Sequence, residues 1–367
     1  MKILVTGAQG FIGRNLVLSL ENSGYDILSF TREDTLETLN QYTQECELVF
    51  HLAGVNRSNQ VSDFYEVNTD LTRTLVHLLK LNQNLVPIVF ASSIHAGHDS
   101  DFGRSKKMAE DLLFEYTEQT ETPVYIYQLP NLYGKWSTPF YNSVVATWCH
   151  QISRDLPIEI TNPETQIEFA YIDDVINQFA KHLNGALLPA GYYPISVTDT
   201  ISLGELSLIL KSFKASRLNN QYPDVSTDFK QKLYATYLSY LPTDQFSYPL
   251  NMKEDVRGSF TEILKSNALG QISVNISKPG ITKGQHWHHS KNEKFLVVYG
   301  QGIIRFRHLF GEEIIEYHVS GDKLVVVDIP PGYTHNIENI GSTDLVTLMW
   351  ANEVFDPEQP DTYYLEV

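Results

Sequence analysis

Three histidines and a glutamate carry the clearest chemistry in this chain. Gly280, His286, His288, Glu293 and Gly300 read G-x5-H-x-H-x4-E-x6-G, and Pro330, Gly332, His335 and Asn339 read P-x-G-x2-H-x3-N. Two histidines at i and i+2 project from one side of a β-strand. With Glu293 and His335 brought alongside, three imidazoles and one carboxylate can close on a single divalent cation. That donor set suits zinc first, then iron, nickel or manganese. A lone His-x-His pair is more often two surface residues; the second motif, in register, favours metal over packing.

A different chemistry stands near Met1. Lys2-Ile-Leu-Val-Thr6 is a short apolar, β-branched run and reads as a buried strand. Gly7, Gly10, Phe11, Ile12 and Gly13 follow at once, and Arg14 to Asn22 reads as a helix. The glycines allow a tight turn and bring backbone N–H groups close to a pyrophosphate at a helix N-terminus. At the end of the second strand an Asp would accept hydrogen bonds from the ribose 2′-OH of NAD. This chain has Ser29-Phe-Thr-Arg32 there. Arg32 can pair with a 2′-phosphate, which favours NADP; a solvated surface arginine is the competing reading.

The elements that must position these groups fall into two sets. Strands are expected at 26–30, 47–52, 87–92 and 124–128, and helices at 63–81 and 105–119. This alternation predicts a parallel sheet. The second and third strands are too close for a full βαβ repeat, so one strand is expected to be missing. Residues 141–241 mix helices and short strands, as a substrate lobe would, and 241–249 reads as a linker. From Met252 onward short strands recur between glycine-rich turns. The expected architecture is α/β plus all-β: a Rossmann-like domain over 1–245, then a small barrel over 246–367. Tyr299 and Phe306 are expected in the barrel core.

Composition narrows the function classes. The 367 residues provide ample chain for both domains. No apolar run reaches membrane-spanning length, and the chain starts on a strand rather than a signal peptide. Cys46 and Cys149 are the only cysteines, which predicts a reducing cytoplasm without a disulfide framework. A net charge of −17 offers no basic footprint for nucleic acid. It remains compatible with an anionic small molecule held by a few local cations.

Residues 1–240 resemble the extended short-chain dehydrogenase/reductase family, which includes nucleotide-sugar epimerases and reductases. The resemblance rests on Thr6 to Gly13, His51-Leu-Ala-Gly54, Val67-Asn68, Ala91-Ser-Ser93, Gly103 with Ser105-Lys106, Pro130-Asn-Leu-Tyr-Gly134 and Tyr171-Ile-Asp-Asp-Val175. It implies that Leu52, Ala53, Lys106, Pro130 and Leu132 join the glycine turn around the nicotinamide cofactor. It also implies catalytic positions at Ser93, Phe102 and Lys106, with Asn68 as a structural or relay residue, and Asn131 and Arg217 against substrate. The family uses a tyrosine hydroxyl where this chain has Phe102, and a phenyl ring transfers no proton.

Residues 250–367 resemble the cupin-fold sugar-nucleotide 3- and 3,5-epimerases. Asp255-Val-Arg257-Gly258 and Gln271 to Asn275 match their opening strands. The resemblance makes Arg257 a candidate for the substrate diphosphate, with a salt bridge to Asp255 or Glu262 as the competing role. Lys294, His308 and Tyr333 are candidates for the C3 base. Taken end to end, the chain is similar to bifunctional capsular-polysaccharide enzymes. That implies C3 epimerisation in the cupin and NADPH-dependent reduction at C4 of a UDP-linked 4-keto-6-deoxy amino sugar, by a homodimer. Two other functions stay open. One is a 4-epimerase or dehydratase with the cupin as a dimerisation module. The other is a non-catalytic sugar-nucleotide-binding protein, which Phe102 makes less remote.

Overall fold

The first strand, β1 (Lys2–Thr6), is buried over Ile3–Thr6 because apolar layers cover both of its faces. Ile3 and Val5 join one core cluster with Leu16, Phe50 and Val89. Leu4 joins the other with Leu39, Val49, Leu75 and Phe90. The elements that follow are α1 (Phe11–Asn22), β2 (Asp26–Phe30), α2 (Leu36–Glu45) and β3 (Leu48–His51). A continuous helical run then comprises α3 (Val61–Phe64), a π-helical stretch Tyr65–Asp70 and α4 (Leu71–Leu81). The spacing predicted one plain helix here; the π stretch carries Asn68, and such stretches mark functional positions.

Next come β4 (Ile88–Ser93), α5 (Asp101–Thr120), β5 (Val124–Leu129), β6 (Asn131–Tyr133), α6 (Val144–Ser153), β7 (Gln166–Tyr171), α7 (Ile172–Ala180), β8 (Gly191–Tyr193), β9 (Asp199–Ser202), α8 (Leu203–Leu218) and α9 (Asp228–Ser239). The main sheet is parallel, in the order β2-β1-β3-β4-β5-β8. β2 and β3 flank β1 on opposite sides. The strand order therefore reverses at β1 and β3, where ligands of open α/β sheets bind. The short β2–α2–β3 connection adds no strand beyond β2. Part of the expected substrate lobe instead completes this fold: α7 buries Ile172, Val175, Ile176 and Phe179 in the core of β1, and β8 pairs with β5.

The computed structural model describes residues 1–184, 188–266 and 268–367. The chain forms two compact units: Met1–Lys211 with Val225–Pro242, and Ser212–Asp224 with Thr243–Val367. Among the described residues no helix is long and apolar enough to cross a membrane.

The second unit holds β10 (Met252–Asp255), β11 (Gly258–Ser266), β12 (Gly270–Ser277), β13 (Thr282–Trp287), β14 (Glu293–Tyr299), β15 (Gln301–His308), β16 (Ile314–Ser320), β17 (Val326–Ile329), β18 (Tyr333–Asn339), β19 (Leu345–Ala351) and β20 (Tyr363–Tyr364). Two sheets, β10-β11-β12-β19-β14-β17 and β16-β15-β18-β13-β20, share one core built from Phe295, Val297, Ile304, Phe306, Ile337 and Leu345. Phe306 lies in that core as expected. Tyr299 does not: the pairing of β14 with β19 shifts register between Val297 and Tyr299, and the ring is 56% exposed.

Candidate functional site

The glycine turn of the first unit is shaped by contacts that no side chain could share. Gly7 has φ +70°, and a Cβ there would lie 2.7 Å from the Ala53 N. A Cβ on Gly13 would lie 2.2 Å from the Gly7 carbonyl oxygen. Gly10 is the N-cap of α1 and makes no side-chain cap, so the first amides of the helix remain available to a ligand. Phe11 and Ile12 are half-buried against the core. The end of β2 closes the turn, with Gly7 N donating to Phe30 O at 2.8 Å, and Arg32 stands exposed two residues further on.

Behind the turn runs a chain of hydrogen bonds that the motifs alone did not reveal. Leu52 N and Ala53 N each donate to Thr6 Oγ1 at 3.2 Å. Thr6 Oγ1 lies 2.7 Å from His51 Nδ1, and His51 Nε2 lies 2.9 Å from Thr72 Oγ1, whose proton goes to Asn68 O at 2.7 Å. The Thr72 hydroxyl must therefore accept from His51, which puts the ring proton on Nε2. Burial, reinforced by the Lys106 charge, pushes the His51 pKa down to about 3, so the ring is neutral. Asn68 is 1% exposed and fully engaged: Oδ1 accepts from Val55 N at 2.9 Å, and Nδ2 donates to Val55 O and Ser105 Oγ. Its role here is to fix the loop after β3 against α5.

Lys106 lies on α5, one turn after Phe102. Its Nζ donates to Ala91 O at 2.9 Å and sits 5.0 Å from the centre of the Phe90 ring. Burial lowers its pKa to about 8, partly opposed by Glu110. The approach is tight at Gly54, where a Cβ would lie 3.0 Å from Lys106 Nζ and 3.1 Å from Asn68 Oδ1. Ser93 ends β4, and its Oγ accepts from His95 N at 3.2 Å. Phe102 is half-buried, edge-on to Phe64 at 6.3 Å between ring centres.

The candidates for a substitute acid are His95 and Tyr133. Tyr133 is 1% exposed, and burial first, then Asp199 and Asp174, pushes its pKa well above the usual phenol range, which makes it a weak acid closed off from solvent. His95 is exposed, with its Nδ1 3.4 Å from that of His98. On β6, Leu132, following Pro130, packs against the core, while Asn131 is exposed and bonds only Glu168 O at 3.3 Å. Arg217 belongs to the second unit: it donates to Gln245 O at 2.5 Å and covers the Tyr248 ring.

The second unit gathers its four expected donors at one point. One ligand atom from each of His286, His288, Glu293 and His335 lies within 4.8 Å of the others. β13 carries His286 and ends one residue before His288, and β18 supplies His335. A bulge at Gln285, with φ +62°, resets their register so that His286 faces His335 across the pair. Glu293 opens β14 in the opposite sheet, and its Oε2 is 3.5 Å from both His288 Nε2 and His335 Nε2.

These atoms fit a cation. His288 Nε2, Glu293 Oε2 and His335 Nε2 are buried and have no hydrogen-bond partner among the described residues, an arrangement that is costly unless something else satisfies them. Burial, helped by the neighbouring His335 and His288, lowers the His286 pKa to about 4, the neutral form a metal requires. Burial opposes ionisation of Glu293, but the His288 and His335 rings outweigh it and hold the carboxyl down to about 2.

Two cavities meet at His286. One, of about 280 Å³, is lined by Lys253, Arg257, Lys283, His286 and His335. The other, of about 370 Å³, is lined by Glu262, His288, Glu293, Trp350 and Phe355. Arg257 makes the salt bridge to Asp255 that was its competing role. It grips Asp255 through Nε at 3.0 Å and Nη2 at 2.6 Å, and still lines the basic cavity. Lys294 pairs with Asp328 on the surface, and neither it nor His308 nor Tyr333 lines either cavity.

The fold and the glycine turn define a nucleotide-binding protein fused to a cupin-type all-β domain. Residues 3–186 match the NAD dependent epimerase/dehydratase family, and residues 253–363 match the polysaccharide biosynthesis C-terminal domain. The chain belongs to that epimerase/dehydratase family, whose cofactor is a nicotinamide dinucleotide. It is 44% identical to the UDP-2-acetamido-2,6-beta-L-arabino-hexul-4-ose reductase of Pseudomonas aeruginosa, over 100% of this chain and 99% of the relative. The crystal structure of the capsular polysaccharide assembling protein CapF from Staphylococcus aureus matches with a TM-score of 0.94 at 48% identity, covering 100% of both chains. The UDP-glucose 4-epimerase of Thermus thermophilus, solved with NAD, matches 65% of this chain and 99% of its own at 19% identity and a TM-score of 0.54, a likeness of fold alone.

Proposed function

We propose that the chain is a bifunctional UDP-sugar enzyme of capsule or surface-polysaccharide synthesis. The cupin epimerises C3 of UDP-2-acetamido-2,6-dideoxy-L-hexos-4-ulose, and the first unit reduces the C4 ketone with NADPH, giving UDP-2-acetamido-2,6-dideoxy-L-talose. The observation that carries this reading is the presence, in one chain, of a glycine turn, a buried Lys106 and a His/Glu cluster opening on a basic cavity. The reductase name of the full-length Pseudomonas relative supports the reductive step. The two steps also suit one another: a C4 ketone acidifies the C3 proton, and the same ketone is then reduced.

Bound at the glycine turn, the nicotinamide supplies hydride to the carbonyl carbon. Lys106 holds the nicotinamide ribose, Arg32 selects the 2′-phosphate, and Ser93 hydrogen-bonds the substrate oxygen, with Asn131 beside the sugar. Phe102 leaves the nascent alkoxide without its usual donor, so Ser93 or water delivers the proton slowly. In the cupin, His286, His288, Glu293 and His335 hold a divalent cation, zinc by preference, which supplies Lewis acidity and staples the two sheets. Lys253, Arg257 and Lys283 suit the diphosphate. Cys46 and Cys149 are both free, buried thiols, and a cytoplasmic location belongs to this reading. The exposed Ile314, Tyr317 and Val326 of β16 and β17 suit pairing of two copies.

The test is incubation with the UDP-4-keto sugar in D2O, with and without NADPH. Deuterium should enter C3 without cofactor, and NADPH absorbance should fall in step with product. Turnover on tightly bound NAD with no NADPH consumed would instead mark a 4-epimerase.

A further inference from the structure

We propose that Asp361 is the positioning residue that sets His288 for the cation, an inference that rests on the metal reading above. His288 is 1% exposed, and its Nδ1 lies 2.6 Å from the backbone carbonyl oxygen of Asp361. A carbonyl only accepts, so Nδ1 carries the proton and Nε2 is left with its lone pair. That Nε2 has no hydrogen-bond partner among the described residues and points at Glu293 Oε2, 3.5 Å away. The carbonyl therefore chooses the tautomer and aims the ring, as outer partners of metal-binding histidines do.

The Asp361 side chain holds that carbonyl still. Its Oδ1 accepts from His289 N at 2.9 Å. Its Oδ2 accepts from Ser290 N at 2.9 Å, Ser290 Oγ at 3.1 Å and Lys291 N at 2.8 Å. Three successive amides thus close around one carboxylate, directly after the histidine whose ring the same residue orients. Asp361 itself has φ +36°, a left-handed conformation that these bonds over-determine. The flanking chain is tied to the same segment. Lys291 Nζ donates to Pro360 O at 2.6 Å and Thr362 Oγ1 at 2.9 Å, and β20 pairs Tyr364 with His286 and Tyr363 with Trp287. Residues 360–364 form a clip across the segment 286–291, which bears two of the four donors.

The test compares the full-length protein, Asp361→Ala, Asp361→Asn, and His288→Gln. Zinc affinity is measured by competition with a chromophoric chelator, and imidazole number by X-ray absorption. Asp361→Ala should bind zinc about 10–100-fold more weakly, the usual cost of losing an outer-shell partner, with the His288 imidazole partly or wholly lost from the shell. Loss of the four carboxylate hydrogen bonds lowers the melt of the metal-free form as well, but a merely structural role would leave the zinc affinity and imidazole number of the folded protein unchanged. Should Asp361→Ala fail to fold, Asp361→Asn decides: it keeps an acceptor for His289 N but loses the anion, and several-fold weakening is expected. Affinity and imidazole number equal to the parent in either folded variant overturn the proposal. Absence of zinc binding in the parent overturns the metal reading itself, and this proposal with it.

Discussion

Replacing Phe102 by tyrosine should accelerate reduction, and the structure says why and by how much. The new hydroxyl would sit one helical turn before Lys106, and residues four apart share a helix face. Only the para hydrogen of a half-buried ring changes, so the edge contact with Phe64 survives and stability should move by no more than about 0.5 kcal/mol. The buried Lys106 ammonium would hold the new phenol's pKa down. A positioned general acid contributes roughly 10²–10⁴-fold, or about 3–5 kcal/mol of barrier. The gain should appear in kcat under saturating NADPH and keto-sugar, with cofactor affinity unchanged. It also has a pH signature. The Lys106 pKa is lowered to about 8, so its charge is present below that pH and is lost as pH rises through it; the advantage of Phe102→Tyr should shrink above about pH 8. If the parent already reduces as fast as Phe102→Tyr, the proton comes from another group and the assignment of this pocket is wrong.

Three further outcomes are expected. Protein purified without added metal should carry about one divalent ion per chain by elemental analysis, and His288→Gln should lose the ion and lower the melting temperature of the second unit. Gly10→Val crowds a turn in which even a Cβ would lie 3.1 Å from Gly7 O; NADPH binding, followed by its fluorescence, should vanish while C3 deuterium exchange persists. In the ligand-free protein, a Lys106 pKa of about 8 against 10.5 implies a buried-charge penalty of about 3 kcal/mol. That penalty is fully present below about pH 8 and fades as pH rises towards 10.5. Urea unfolding should therefore show the parent gaining stability over this window relative to Lys106→Met, which has no amine to titrate.

How much of this was legible in the chain depended on whether the signal was local. The glycine turn is contiguous, and each of its glycines answers a steric demand set within a few residues or by the next strand, so spacing alone revealed it. The His/Glu cluster was legible because His286 and His288 obey the period of a strand and the second motif repeats the logic around His335. The short β2–α2–β3 connection likewise announced the missing strand. The exceptions are residues whose environment depends on register or on a distant layer. Tyr299 has the composition of a core strand position, but an irregularity opposite β19 turns it to solvent. Tyr133 is one residue of a family motif in its own segment, and only the packing of Phe169, Tyr171 and Phe229 around its ring shows how closed off it is.

Support for both sites comes from just such distant layers. The Thr6–His51–Thr72 chain joins a strand end, the next strand and a helix, each residue unremarkable in its own segment. Asp361 stands 73 positions from the histidine it orients, beyond the reach of any periodic pattern, and it acts through a backbone carbonyl that every residue type possesses. Spacing therefore identifies the groups that touch a ligand, because ligand geometry constrains side-chain type and interval together. It is blind to the groups that aim them, because a carbonyl or a buried hydroxyl can be delivered from anywhere in the fold. For this protein the consequence is concrete. A chain that keeps His286, His288, Glu293 and His335 but lacks the clip formed by 360–364 should look complete by motif and still bind zinc weakly, and deletion of 360–367 assayed by chelator competition would show whether four correct ligands suffice.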